Sequence, residues 1–552
     1  MMKLSILRHT LSLIFICCLG FFIYSDSLSH SFSSMDDRGL INTNKDVIKG
    51  NNIHKILSEP LAGFNRYYRP LQIYSYKLDY LLWGLNPFGY HLTSVALHLI
   101  NACLLYVFLF LLFNSRGGPF FAAVIFVCHP VFTEPVNYIA SRSDLLVGTS
   151  FLLTIIFYLL NQRSGKKVYL VLSYGAFLFS LLSKEVSLLL PFFILFLERL
   201  TRKKYSATTI YFILALVFIL FRSFLVTFKI HEMPSVYFFL TLPKALFLYM
   251  EAFLFPFGLQ KKWCLSLVTS VFDKDFFIPA FIISGFIYVI IGIRRYSGVC
   301  SFGLAWFLFT PLALTLVLSQ LWPKGVMPFS YAWLYVPSIG LFTMLAYSAQ
   351  IALARSQNRK LVFAAISIII PVFSFNTMVM NKKWSDPSFV SYEKTILAEL
   401  PENVSLSIQA TNKGYRLLEE QKTQQAEQEF RRALALLATN HKALNNLGII
   451  FLNQRRFDQA LFYFKMSNSI KPFDPNTHYN TGLVYLMQND TRKAIVEFEK
   501  TVKLDFYHFD AHYNLLILYA RENMEEKALR ELSAIKYLDP AFDITKMNEK
   551  NN

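Results

Sequence analysis

HLTSVALHLINACLLYVFLFLLF, residues 91–113, has no Asp, Glu, Lys or Arg in 23 positions. At 1.5 Å per residue a helix of that length runs about 35 Å, enough to cross the hydrocarbon of a bilayer, where a helix satisfies its own backbone groups. The rest of the chain has the same character. Its 552 residues are 54% apolar, 16% aromatic and only 16% charged, with a positive mean hydropathy, which excludes a single soluble globular domain. Outward from 91–113, apolar runs predict further spans near 5–24, 119–134, 145–160, 168–183, 186–197, 207–228, 276–293, 300–320, 333–353 and 361–379, about 11 in all. Residues 240–258 are set apart, because Pro243, Lys244, Glu251 and Pro256 interrupt them; an interfacial or re-entrant helix is expected there. The first run is long and no small-x-small cleavage site follows it, so it reads as an uncleaved anchor.

Charge divides the chain in two. Before Asn381 there are 31 basic and 14 acidic residues, a balance of +17; from Asn381 onward there are 23 and 22, a balance of +1. The basic excess therefore belongs to the apolar part, where it sets membrane orientation, and no nucleic-acid-binding tail is expected. With the N-terminus cytoplasmic, the inner segments collect 15 basic residues against one acid, Glu198. An odd number of spans then puts the polar C-terminal part outside, together with the first loop, 25–90. The six cysteines lie in or beside apolar runs without a Cys-x-x-Cys, so neither a disulfide framework nor a thiolate metal site is expected.

After Ser405 the sequence repeats every 34 residues. Asn412, Asn446, Asn480 and Asn514 are in register, as are Gly414, Gly448 and Gly482, then Ala426, Ala460, Ala494 and Ala528, then Phe430, Phe464, Phe498 and Leu532. This period, with small residues where paired helices approach and Pro472 and Pro540 as breakers, is the tetratricopeptide (TPR) pattern. Four repeats are expected near 407–440, 441–474, 475–508 and 509–542, stacked as an α-solenoid, with 381–406 a linker and 543–552 a tail. Gly, Ala and Phe at the register positions read as packing. Groove residues for a polypeptide or glycan acceptor must come from elsewhere: Asn446, Tyr479, Asn480, Tyr513 and Asn514.

The outward loops carry the ionisable residues. Asp36 and Asp37 follow the first span by about ten residues; one carboxylate of such a pair can activate a hydroxyl while its neighbour orients it, although a helix cap or solvated loop is the commoner use. On the same face lie Tyr68 and Arg69, then His129, Glu134, Arg142 and Asp144, then Lys184 and Glu185 between two apolar runs. Ionisable groups at that depth are costly unless paired or used. Arg69, Arg142 and Lys184 can receive a phosphate, and Lys184 with Glu185 can equally form a mutual ion pair. His91 and His98, seven apart on one face of 91–113, suit helix-to-helix hydrogen bonding.

These residues carry a resemblance. Asp36-Asp37, Tyr68-Arg69-Pro70-Leu71, Leu82-Trp83-Gly84-Leu85-Asn86-Pro87, His129-Pro130-Val131 with Thr133-Glu134, Ser141-Arg142-Ser143-Asp144, Ser183-Lys184-Glu185, Leu334-Tyr335-Val336-Pro337-Ser338 and Trp384-Ser385-Asp386 resemble, in the same order, the transmembrane and tetratricopeptide-repeat O-mannosyltransferases and their bacterial relatives, members of the GT-C superfamily of polytopic glycosyltransferases. Tyr331 and Ala332 stand where that family usually carries an acid and an arginine. The resemblance implies an all-α GT-C-like bundle whose inverting reaction moves a mannose-like hexose from a polyprenyl- or dolichyl-phosphate carrier to an acceptor hydroxyl. Asp36 would be the base, Asp37 a contact to sugar or acceptor, Arg69, Arg142 and Lys184 the phosphate ligands, and Tyr68, His129, Glu134, Asp144 and Glu185 substrate contacts. No resident cofactor is implied beyond a possible divalent cation. The expected home is a bacterial inner membrane, or alternatively the endoplasmic reticulum. Two other functions fit the same architecture: an envelope polysaccharide ligase or polymerase with fused repeats, and a non-catalytic scaffold whose repeats recruit a partner.

Overall fold

A computed structural model describes residues 2–33, 36–42, 44–48, 56, 67–201, 208–225, 236–260, 262, 264–319, 326–354, 356–386, 389, 400, 402–506, 508–539 and 542. Pro540, the tail and half of the linker lie outside them. The chain forms two compact units, 1–399 and 400–552.

The first unit is a bundle of apolar helices. Local signals set its boundaries: Asn86 caps the helix Pro87–Phe113 by accepting from the Phe88 N–H (3.1 Å), and Asn114 and Gly165 end their helices in the left-handed region. Eight helices among the described residues are long and apolar enough to cross a membrane, and nine if the bent pair Gly117–Cys128 and Pro130–Asn137 counts as one. This is fewer than eleven because other expected spans are short helices, such as Lys167–Ser183 and the 12-residue Leu190–Thr201. Small residues let helices approach: a Cβ on Gly303 would meet the Gly340 carbonyl at 2.5 Å. His98 bonds Tyr335 Oη across helices at 2.9 Å, as its place on the 91–113 face predicts.

Val236–Leu254, where the interrupted segment was expected, is a continuous helix and one of the eight. Part of it meets residues at one end of the bundle, while Phe253 also packs on Phe307 and Phe342 inside two further helices. Thr241 accepts from the Val268 N–H, Lys244 pairs with Asp275, Tyr249 stacks on Phe329 and the Phe253 carbonyl accepts from His129. A short antiparallel ribbon, Cys264–Ser266 with Val326–Pro328, closes beside it, and nothing in the sequence reading anticipated this.

At that same end three helix C-termini are tied together. Asn381 Nδ2 donates to the Ile23 carbonyl (2.9 Å), Asn137 Nδ2 to Asn381 Oδ1 (2.8 Å) and Thr377 Oγ1 to the Cys128 carbonyl (2.7 Å). The chain therefore enters the first loop and leaves the bundle for the repeats at one face.

The second unit is four helix pairs, Glu402–Glu419 with Thr423–Leu436, His441–Asn453 with Phe457–Ile470, Pro475–Met487 with Thr491–Leu504, and Phe509–Arg521 with Glu525–Leu538. The 34-residue period reappears in the backbone: Gln421, Arg455, Asn489 and Asn523, between the helices of each pair, all have φ near +60°. A Cβ on Gly414 or Gly482 would meet the ring of Phe430 or Phe498 at 2.7 Å, which confirms the register residues as packing.

Candidate functional site

The face where the helix ends meet gathers the ionisable residues singled out by the sequence, and it sorts them. Asp37 is 1% exposed. Its Oδ2 accepts from the Ser33 N–H and Ser33 Oγ (2.8 Å each) and its Oδ1 from the Ala140 N–H (3.0 Å). Burial pushes this carboxyl up to about 6, against the pull of those donors. Asp37 is therefore a clasp between the first loop and residues 137–141, and its oxygens are not presented to sugar or acceptor as the sequence suggested. Asp36 is half-buried, and among the described residues it makes one hydrogen bond, from Tyr138 Oη to Oδ2 at 2.6 Å.

Arg142 is fully buried. Its Nη1 pairs with Asp79 Oδ2 at 2.5 Å, its Nη2 donates to the Tyr90 carbonyl (2.8 Å), and its guanidinium lies 4.7 Å from the Tyr76 ring centre. Stripping a buried partner from such a pair costs about 3–5 kcal/mol. Arg142 thus ties Pro70–Trp83 and Pro87–Phe113 to its own helix, and its two terminal nitrogens, assigned by the sequence to a phosphate, are taken by Asp79 and the Tyr90 carbonyl. His129 is likewise consumed: Nδ1 accepts from the Val131 N–H (3.2 Å), so Nε2 carries the proton given to the Phe253 carbonyl (3.0 Å). Its ring packs between Phe253 and Phe373, where it ends a helix and leaves nothing for substrate. Tyr68, 2% exposed, packs its ring near Phe218 and Phe221.

The remaining charges form one cluster. Lys184 does not pair with Glu185; its Nζ donates to Asp144 Oδ2 at 2.5 Å. Glu185 takes Arg69 on Oε2 (2.8 Å) and Arg222 on Oε1 (3.2 Å). Among the described residues three cations thus face two carboxylates, and Arg69 and Arg222 are the more exposed, at 12% and 10%. Lys184 and Asp144 lie buried behind them. Sequence reasoning missed Arg222, although an arginine inside the apolar run 208–225 was itself a signal. It also missed Asp79 and Tyr138, whose partners are 63 and 102 residues away.

Glu134 is buried and accepts from Ser330 Oγ at 2.5 Å, beside the Tyr331 position where the resemblance departs. It borders a small crevice lined also by Thr133, Tyr331, Met380 and Trp384. Trp384 stacks on Tyr138, with ring centres 6.2 Å apart. Among the described residues no group of three or more His, Cys, Asp and Glu converges to hold a metal.

In the repeat unit Asn446, Asn480, Asn514, Tyr479 and Tyr513 are half-buried at equivalent positions of the leading helices. Asn480 donates to Asn445 Oδ1 (3.1 Å) and Asn514 to Tyr479 Oη (3.4 Å), so the row is linked from repeat to repeat.

Fold and site together define a multi-pass membrane protein that carries a TPR unit. The tetratricopeptide repeat family matches residues 411–475. The chain is similar to protein O-mannosyl-transferases of the transmembrane and TPR type. Protein O-mannosyl-transferase Tmtc1 of Drosophila melanogaster is 33% identical over 180 residues, which cover 31% of this chain and 20% of that protein. Protein O-mannosyl-transferase TMTC2 of Homo sapiens is 32% identical over 178 residues, covering 31% and 21%. The chain thus spans about a fifth of the length of the curated relatives it matches. Among solved structures, MamA 41-end from Desulfovibrio magneticus RS-1 is 21% identical, with a TM-score of 0.23, and covers 29% of this chain and 90% of that one.

Proposed function

We propose that this chain is an integral-membrane glycosyltransferase that moves a mannose-like hexose from a polyprenyl- or dolichyl-phosphate carrier to a hydroxyl of a polypeptide or glycan. The observation that carries the reading is the separation of the two adjacent aspartates: Asp37 is locked into the protein, while Asp36 stands half-buried at the edge of the loop with one oxygen oriented by a phenol. In the reaction the acceptor oxygen bonds to the anomeric carbon as its proton passes to Asp36. The bond from that carbon to the phosphate breaks with its electron pair leaving on the phosphate, and the configuration inverts. The leaving phosphate is met by Arg69 and Arg222, the more exposed cations of the Glu185 cluster. Glu134, beside Trp384, is the carboxylate assigned to the sugar. A lipid-linked donor reaches such a site sideways through the bilayer, in a bacterial inner membrane or, as the alternative, the endoplasmic reticulum. The repeats present the acceptor along the Asn446, Asn480 and Asn514 row in the periplasm or lumen.

The test is Asp36→Asn in purified protein supplied with a panel of lipid-phosphate sugars. Transfer falls at least a thousandfold while insertion and thermal midpoint are kept; transfer that persists in the variant removes the assigned base.

A further inference from the structure

Tyr138 is the phenol that holds one oxygen of Asp36 in the reading above, and its own placement is over-determined. It is 3% exposed and sits in extended conformation (φ −89°, ψ 101°) between the short helix Thr133–Asn137 and the turn Ile139–Ser141. Residues on both sides of it are tied down: Asn137 donates to Asn381 and Thr133 anchors Asn137 through its carbonyl, while the Ala140 N–H grips Asp37. The Trp384 ring backs the phenol at an interplanar angle of 27°. A buried phenol so constrained, with its hydroxyl 2.6 Å from one carboxylate oxygen, has little freedom to do anything else.

We propose that Tyr138 is the positioning residue of the Asp36 carboxylate; the proposal rests on the reading of Asp36 as the base. The phenol O–H takes Oδ2, which aims the other oxygen at the acceptor proton. The other titratable neighbours from packed elements are Asp37, adjacent in the chain, and Tyr76, from Pro70–Trp83; the Arg142 behind Tyr76 is neutralised by Asp79. Among the described residues, Tyr138 alone touches the Asp36 carboxylate.

The experiment compares Tyr138→Phe with the parent enzyme in the same membranes and with the same lipid-phosphate hexose. The phenylalanine keeps the ring against Trp384. Loss of the hydrogen bond frees the carboxylate to turn, so kcat falls about tenfold while KM for the donor stays within about twofold. Should the variant prove unstable, 3-fluorotyrosine at 138 keeps both the shape and the hydroxyl, and kcat then stays within about twofold of the parent. An unchanged kcat in Tyr138→Phe, or a loss that comes with a raised donor KM, overturns the proposal and leaves Tyr138 a packing residue. Asp36→Asn, run in parallel, separates the two claims: if it is inactive while Tyr138→Phe keeps its kcat, only the positioning role fails; if it is active, the base assignment itself fails.

Discussion

Asp36 and Asp37 are consecutive residues with opposite surroundings, and this difference is what a carboxylate pair needs if one member is to react and the other to hold shape. Asp37 supports the loop by accepting from three donors in a buried place. Asn in its position offers an amide where the Ser33 and Ala140 donors converge, so Asp37→Asn should cost about 1–3 kcal/mol of stability. The cost has a pH dependence whose sign follows from burial. In the unfolded chain this carboxyl titrates near 3.8, whereas in the folded protein burial lifts it to about 6. Between those values the folded state binds the extra proton, so the stability that Asp37 contributes falls as pH rises from about 4 to 6. Thermal unfolding in detergent at pH 5 and pH 8 should therefore show the variant more disadvantaged at pH 5; an equal penalty at both would mean that the clasp does not titrate. Asp36 and Asp37 were both legible as candidates, because adjacent acids after an apolar anchor stand out. Which of them is engaged was not legible, because the deciding partners, Tyr138 and Ala140, are about a hundred residues away.

Within the helix pairs of the repeat unit, Gly faces Phe at the crossing in the first three repeats, while in the fourth the corresponding residues are Leu516 and Leu532. The pair exchanges a minimal and a large side chain for two of intermediate size. Gly448→Ala places a methyl against the Phe464 ring and should destabilise the unit by about 1–3 kcal/mol. Gly448→Ala combined with Phe464→Leu should recover much of that loss in thermal unfolding, since the shorter side chain makes room; a double variant no better than the sum of its parts would place the constraint in the backbone instead. In the membrane unit the comparable elements are tied by buried polarity, with Arg142, Asp79 and the Tyr90 carbonyl joining three helices. Sequence spacing exposes the repeat crossings because partners recur at 34 residues. It hides the Arg142 tie because Asp79 lies in a different element at no fixed interval.

For the whole molecule, the decisive geometry is that Ile23, Cys128 and Asn381 meet at one end of the bundle. The expected consequence is that cysteines placed singly at Ser31 and Gln454, in a protein otherwise free of cysteine, react with an impermeant maleimide from the same side of intact membranes. One at Tyr296, beyond the opposite end of Lys274–Ile293, should react only from the other side. Labelling of Ser31 and Gln454 from opposite sides would part the first loop from the repeats and end the proposed reaction. What the sequence determined by itself was the class of object: apolar runs, basic asymmetry and a 34-residue period are read locally, since each reflects how one segment meets lipid, charge or its neighbouring repeat. What only the tertiary structure decided was which charges are spent on the fold and which remain for chemistry. Arg142, His129 and Asp37 are tied into the fold, Arg69 and the unforeseen Arg222 share Glu185, and Asp36 is held by Tyr138, because pairing in a low-dielectric interior depends on distances between segments that no local pattern encodes.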